Sequence, residues 1–366
     1  MNAILLFIEW ITGFLLFSAK KLLRRKTGDV KNPGRVSVII PARNEEHSLP
    51  HLLDSLKNQT LKPYEIIVVD DGSEDKTSEI AKKYGAMVVR NEKVEKGWTG
   101  KSWAVWRGFL KSSGDILVFL DADVRLKPEA IEELIYLRGK TNGVISVFPY
   151  HYTERLYEKF SILFNFLGAL TFTSPFERVL KKGGMCGAVL ICTRDDYVKI
   201  GGHSSVRAEI VEDMALGRMF EEEGTPVETY LGYRLVSFRM YPDGYMSLVE
   251  GFTKNTAKGA LSISLPTLSL LIFWFSGLLS TGIVFFLNLL RGTLELNHYA
   301  IFYFLYTLQL LSLGRFIGNF GFILPVFHIF PSVFFLSIFL NSIYRYYIRG
   351  IVSWKDRAIS IRGWGK

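Results

Sequence analysis

Val36-Ser37-Val38-Ile39-Ile40-Pro41-Ala42-Arg43-Asn44-Glu45 is a strand-forming run that breaks into a polar turn, and the same design recurs downstream. Residues 65–69 form a β-branched run ending at Asp70-Asp71-Gly72-Ser73, and residues 116–120 form an apolar run ending at Asp121-Ala122-Asp123. A short strand is expected at 86–90. Helical patterns follow the first turn through Leu56, then fill 75–84 and 102–110. Strands alternating with helical stretches predict an α/β fold with a mostly parallel, Rossmann-like sheet and helices on its faces. The polar residues fall at the carboxyl ends of strands, where open α/β sheets bind ligands.

The chain has 366 residues, 49% hydrophobic and 14% aromatic, yet 22% charged. That mixture implies two regions, one globular and one built for lipid. The net charge of +9 is concentrated beside apolar segments. Lys20, Lys21, Arg24, Arg25 and Lys26 follow the first segment, and Arg345, Arg349, Lys355, Arg357, Arg362 and Lys366 follow the last. This placement points to anionic lipid headgroups and away from nucleic acid. Cys186 and Cys192 lack metal-ligand spacing and are expected as buried, unpaired thiols.

Residues 1–25 are expected as an N-terminal membrane anchor, with a surface-lying amphipathic helix as the alternative because Glu9 interrupts the apolar run. The α/β domain is expected over 35–250, transmembrane helices over 260–345, and a basic cytoplasmic tail over 346–366. Keeping both basic clusters on the cytoplasmic side requires an even number of crossings after the α/β domain. Two full spans are therefore expected near 267–290 and 320–343, with 299–314 re-entrant or interfacial. The apolar stretch 160–176 is long enough to tempt a spanning assignment. A crossing there would put Asp121 and Asp123 on the opposite membrane face from Glu212 and Asp213, so it is expected on the membrane or packed in the domain.

Asp121 and Asp123 flank one alanine at a strand end, so both reach toward a divalent cation held by a diphosphate, because Mg2+ and Mn2+ take hard oxygen ligands. A bare pair of this kind is weak evidence by itself. Glu212 and Asp213 open a helical pattern, a position suited to a carboxylate that deprotonates or orients an acceptor, though equally to simple helix capping. Asp71 likewise sits in ordinary turn chemistry. Gly97-Trp98-Thr99-Gly100-Lys101-Ser102 resembles the end of a Walker loop, but Glu95 stands where its first glycine belongs, so a P-loop is not expected. Lys101 near a helix start remains a fitting diphosphate contact. Trp98 reads as core or as a sugar-stacking platform.

Taken in order, residues 38–45, Val68-Val69-Asp70-Asp71-Gly72-Ser73, Asp121-Ala122-Asp123 and Glu212-Asp213 resemble the family 2 glycosyltransferases of GT-A fold. Residues 97–102 and Val211-Glu212-Asp213-Met214-Ala215-Leu216 are similar to its membrane-bound carotenoid and hopanoid-associated branch. The resemblance covers roughly 36–225. It implies a GT-A catalytic domain with N-terminal and C-terminal transmembrane helices. It also implies inverting transfer of a hexose from a UDP-sugar, UDP-glucose foremost, to a lipid acceptor in the cell membrane, with Mg2+ or Mn2+. On that resemblance Pro41, Ala42, Glu45 and Asp71 border the nucleoside and Lys101 the diphosphate. Asp121 and Asp123 hold nucleotide and metal, and Asp213, with Glu212, is the catalytic carboxylate.

Processive relatives carry a Gln-x-x-Arg-Trp motif before their membrane helices. Here residues 251–259 lack it, which argues against long-polymer synthesis. Lys254 and Lys258 are expected at a diphosphate or at headgroups. Trp354-Lys355-Asp356-Arg357 also looks family-like and is expected to return over the active site. Competing expectations are a polyprenyl-phosphate or glycerolipid acceptor, and a catalytically inactive membrane scaffold. A nucleotidylyltransferase is disfavoured because no glycine-rich basic loop follows the first strand. A transporter would need more spans.

Overall fold

The protein is described by a computed structural model covering residues 2–25, 33–91, 93–180, 184–209, 212–261, 263–293, 297–349, 351–354 and 357–360. Lys26, Val211, Lys355, Asp356, Arg362 and Lys366 of the sequence reading lie outside the described residues. The chain divides into two compact units, Lys21–Tyr150 with Lys181–Arg239, and Met1–Lys20 with His151–Leu180 and Met240–Lys366.

The first unit is built on a seven-stranded sheet. Its first four strands are β1 (Val36–Ala42), β2 (Glu65–Asp70), β3 (Met87–Arg90) and β4 (Ile116–Leu120), and they align in parallel in the order β3-β2-β1-β4. The sheet continues beyond β4 through Val189–Thr193 to Val144–Phe148 and Val227–Leu231. Strand Val189–Thr193 runs antiparallel to both neighbours, while Val144–Phe148 and Val227–Leu231 pair in parallel. The sheet is therefore mostly parallel, as expected, with one reversed strand at 189–193.

Crossover helices carry β1 to β2 (α2, Leu49–Lys57), β2 to β3 (α3, Thr77–Lys83) and β3 to β4 (α4, Gly100–Lys111). The core under α4 joins Ile39, Val105, Phe109, Phe119, Leu190, Tyr197 and Phe220, and a second patch joins Ile67, Val69, Val89 and Ala104. Because the order reverses between β1 and β4, a crevice opens at their carboxyl ends. β1 stops pairing with β4 at Ile39, before Pro41, which has no N–H to offer a ladder. Cys192 is fully buried and Cys186 partly so, and both are unpaired thiols that burial makes hard to ionise.

The second unit is helical. Two of its helices, Leu265–Leu290 and Ile329–Tyr346, are long and apolar enough to cross a membrane. The later one starts nine residues after the expected 320, because Gly321 in the left-handed region and the short helix Ile323–Val326, containing Pro325, interrupt the chain first. Between them lies His298–Gly314, of 17 residues. Helix α1 (Ala3–Leu16) has 14 residues, about 21 Å against the roughly 30 Å of a bilayer core.

Helix α1 buries polar Glu9 and Thr12 together with Leu6 and Leu16 and leaves much of its apolar surface outward. Glu9, Thr12 and Gly13 face the other helices, while Ile4 and Phe7 are 67% and 51% exposed. Ser276 Oγ donates to Glu9 at 2.8 Å. Gln309 donates to the Trp10 carbonyl and accepts from Trp274 Nε1, both at 2.7 Å. A Cβ on Gly13 would meet Gln309 Oε1 and Trp274 Nε1 at 2.6 Å, so a larger residue there would push aside the two side chains that bond each other. The apolar stretch near 160–176 forms helix Ile162–Thr173, about 18 Å long and buried along most of its length. Phe164 stacks on Phe252 at 4.1 Å and Phe166 on Trp274 at 6.0 Å, so it packs as an internal helix of this unit. Near the C-terminus, Ile351–Trp354 and Arg357–Ser360 pair as an antiparallel hairpin with Trp354 opposite Arg357.

Candidate active site

The loops after β1 and β2 are stitched together. Asn44, held in the left-handed region, receives the Glu74 N–H on its side chain at 2.9 Å, and its own N–H reaches Ser73 Oγ at 3.0 Å. The Glu45 N–H donates to Thr77 Oγ1 at 2.8 Å, and the Asp71 N–H donates to the Ala42 carbonyl at 2.9 Å. Arg43 Nη1 donates to the Asp71 carbonyl at 3.1 Å. Asp70 turns inward, accepting from the Ser73 N–H at 2.8 Å and from Ser78 Oγ, so its role is to fold the loop. These bonds fix Ala42, Glu45 and Asp71 at the strand ends on one side of the crevice.

Lys101 comes from the second position of α4, whose N-cap Thr99 also donates its N–H to the Arg207 carbonyl at 2.9 Å. A cation there opposes the helix dipole. Its Nζ lies 2.8 Å and 3.1 Å from the two oxygens of Asp121 and 3.7 Å from Glu212 Oε1. Burial works against its charge, but Asp121, Glu212 and Asp213 outweigh burial and raise its pKa well above the ordinary lysine value.

Glu212 and Asp213 open helix Glu212–Glu222. Asp213 accepts from the Gly187 N–H at 2.9 Å and from the Met214 N–H at 2.9 Å. Burial raises the pKa of both carboxyls, with Lys101 opposing the rise. Asp123 is pushed up to about 8 by burial and then by the neighbouring carboxylates of Asp121 and Glu45.

Pro41, Lys101, Asp121, Glu212 and Asp213 line one pocket. Outside that pocket wall, Ala42 ends β1, Glu45 and Asp71 lie in the loops after β1 and β2, and Asp123 lies in the turn after β4. Two lining residues, Gly187 and His203, were not singled out as functional in the sequence. The glycine-rich run Gly183-Gly184-Met185-Cys186-Gly187 was the signal for the first. A Cβ on Gly187 would stand 3.1 Å from Asp213 Cβ and 3.4 Å from Lys101 Nζ. His203 Nδ1 lies 2.7 Å from the hydroxyl of buried Tyr197, and burial, then Lys101, lowers its pKa to about 3, leaving it neutral. Trp98 packs edge-on to Trp103 at 5.0 Å and across Trp106 at 6.2 Å, in an aromatic row that joins the core.

Among the described residues, no cluster of three or more His, Cys, Asp or Glu side chains forms a metal cage by itself. A metal shared with a diphosphate needs only one or two carboxylates, the rest of its shell being phosphate and water. Asp121 and Asp123 fit that requirement: the two carboxyls flank one alanine after β4, and after burial it is the charge of Asp121 and Glu45 that raises the Asp123 pKa, charge that a cation would offset.

A mostly parallel sheet with paired carboxylates gathered at its switch point is the arrangement expected of a GT-A glycosyltransferase, and the comparisons with known proteins agree. Residues 37–198 match glycosyl transferase family 2. The chain is 35% identical over 356 residues to 4,4'-diaponeurosporenoate glycosyltransferase of Staphylococcus aureus strain USA300, covering 95% of this chain and 94% of that one. The strain MRSA252 protein of the same name is equally similar, at 35% over 356 residues with the same coverage. In fold, the chain resembles a mannosyltransferase from Pyrobaculum calidifontis solved with GDP-mannose and Mn2+, with TM-score 0.54, 16% identity, and coverage of 93% and 98%. The chain belongs to the family 2 glycosyltransferases and is a sugar-transferring enzyme.

Proposed function

We propose that the protein is an inverting enzyme that transfers a hexose, glucose foremost, from a UDP-sugar to a lipid acceptor in the membrane, such as a carotenoid carboxylate. The observation that carries this reading is the ammonium of Lys101 placed between Asp121 and Glu212, beside Asp213, at the sheet's switch point. The relatives that glycosylate a carotenoid acid support the acceptor class. The two span-length helices and the outward apolar face of α1 support a membrane-resident enzyme.

In this reading Pro41, Ala42, Glu45 and Asp71 border the nucleoside, and Lys101 contacts the diphosphate. Asp121 and Asp123 hold the nucleotide and Mg2+ or Mn2+, with Asp123 the firmer metal ligand. A bound divalent cation supplies charge stabilisation to the departing diphosphate. The acceptor oxygen attacks the anomeric carbon from the face opposite the leaving group, forming the new C–O bond as the bond to UDP breaks. With a hydroxyl acceptor, Asp213 takes its proton, and Glu212 beside it keeps the carboxylate pair in place. With a carboxylate acceptor, already nucleophilic near neutral pH, Asp213 orients instead of deprotonating.

Thermal shift of the detergent-solubilised protein tests the donor site. UDP-glucose with Mn2+ is expected to raise Tm, and Asp123→Ala to abolish the metal-dependent part of that rise. No rise with any nucleoside diphosphate would contradict the reading.

A further inference from the structure

Lys101 sits where a divalent cation would compete with it for Asp121 and a diphosphate would compete with Asp121 for it. It contacts both oxygens of Asp121, at 2.8 and 3.1 Å, and lies 3.7 Å from Glu212. Its helix-start position disfavours positive charge, so the carboxylates, not the helix, hold it there. Asp121 and Glu45 both bring negative charge to Asp123, the neighbouring carboxyl of the same turn.

We propose that Lys101 is a built-in cation that holds Asp121 and Glu212 until a nucleoside diphosphate accepts its ammonium, so that metal and nucleotide-sugar bind as a pair and metal alone binds poorly. The proposal rests on the reading of Asp121 and Asp123 as the metal–diphosphate site. A metal ion arriving alone must pull Asp121 from the ammonium, leaving a part-buried positive charge beside a second one with no new partner. A diphosphate gives the ammonium phosphate oxygens to bond, and Asp121 is then released with every charge still paired. Lys101 thus positions two carboxylates and couples two ligands. By linkage, the factor by which UDP strengthens metal binding equals the factor by which metal strengthens UDP binding.

The test is Mn2+ binding by electron paramagnetic resonance to the full-length, detergent-solubilised protein, with and without UDP, for wild type, Lys101→Met and Lys101→Arg. Near-UV circular dichroism checks that each variant is folded. Lys101→Met is expected to bind Mn2+ alone about tenfold or more tightly than wild type, and to lose most of the strengthening that UDP gives, within the usual range of coupling between sites. Lys101→Arg keeps the charge and is expected to behave as wild type toward metal alone. If Lys101→Met binds Mn2+ alone no better than wild type while wild type with UDP binds it well, the proposal is overturned and the metal site stands. If wild type with UDP also fails to bind Mn2+, the metal-site reading falls and this proposal with it.

Discussion

Asp123 keeps its proton at neutral pH because burial, Asp121 and Glu45 all disfavour one more negative charge. Its pKa rises from the ordinary 3.8 to about 8, so between those values the folded protein holds more protons than the unfolded chain. The folded state therefore loses stability as pH rises through that window. Asp123→Asn is expected to flatten this dependence in metal-free protein and to raise Tm at pH 8 by roughly a few degrees, while removing metal-dependent nucleotide binding. Melting curves from pH 5 to 8 with chelator present check it; a slope unchanged by the substitution would contradict it. At Asp213 the expected outcome depends on the acceptor. Asp213→Asn should lower kcat by about 10²–10⁴-fold for a hydroxyl acceptor, and far less for a carboxylate acceptor that has no proton to lose. Rates on a paired alcohol and acid acceptor check this. Asp121, Asp123, Glu212 and Asp213 stood out in the sequence because carboxylates at apolar strand ends and helix starts are visible in one dimension. The Lys101–Asp121 ion pair was not, since it closes across a whole crossover.

Elements were legible in proportion to how local their cause is. The strands at 36–42, 65–70 and 116–120 announce themselves by apolar runs that end in turn residues. The reversed strand Val189–Thr193 does not announce its direction, because a strand buried on both faces reads the same either way and only its pairing decides. Helix α4 begins at Gly100 and not at 102, because Thr99 caps it by accepting the Ser102 N–H. The seat of α4 on the sheet depends on Gly108, where a Cβ would come within 2.5 Å of Ile39 Cγ2 and 2.9 Å of Val69 Cγ2. Gly108→Ala is expected to destabilise the protein by about 1–3 kcal/mol through overpacking. Because Lys101 rides on the same helix, nucleotide affinity should fall with it. Chemical denaturation and UDP titration of one preparation check both effects, and an unchanged midpoint would contradict the account of how α4 is seated.

At the scale of the molecule, composition implies one globular and one lipid-suited region, whereas the compact units cut the chain differently, with His151–Leu180 from inside the expected 35–250 domain joining the helical unit. Composition could not place the stretch near 160–176, since hydropathy separates apolar from polar but does not separate a lipid contact from a protein contact. Phe164 and Phe166 spend their apolar surface on Phe252 and Trp274. Nor could it foresee that Glu9 would be turned toward Ser276 with the apolar side of α1 left outward. An outward apolar face of this kind fits lipid and not water. The expected outcome is that the protein stays in the membrane fraction after an alkaline carbonate wash and needs detergent for release; recovery in the wash would contradict it.

The most direct test of the central claim is UDP release by purified, detergent-solubilised protein given UDP-glucose, Mn2+ or Mg2+, and a panel of lipid acceptors, beside Asp123→Ala and Asp213→Ala. The account predicts release that requires both metal and a lipid acceptor, with Asp123→Ala inactive on every acceptor and Asp213→Ala impaired most on hydroxyl acceptors. Release that persists in Asp123→Ala, or that never depends on a lipid, would contradict it.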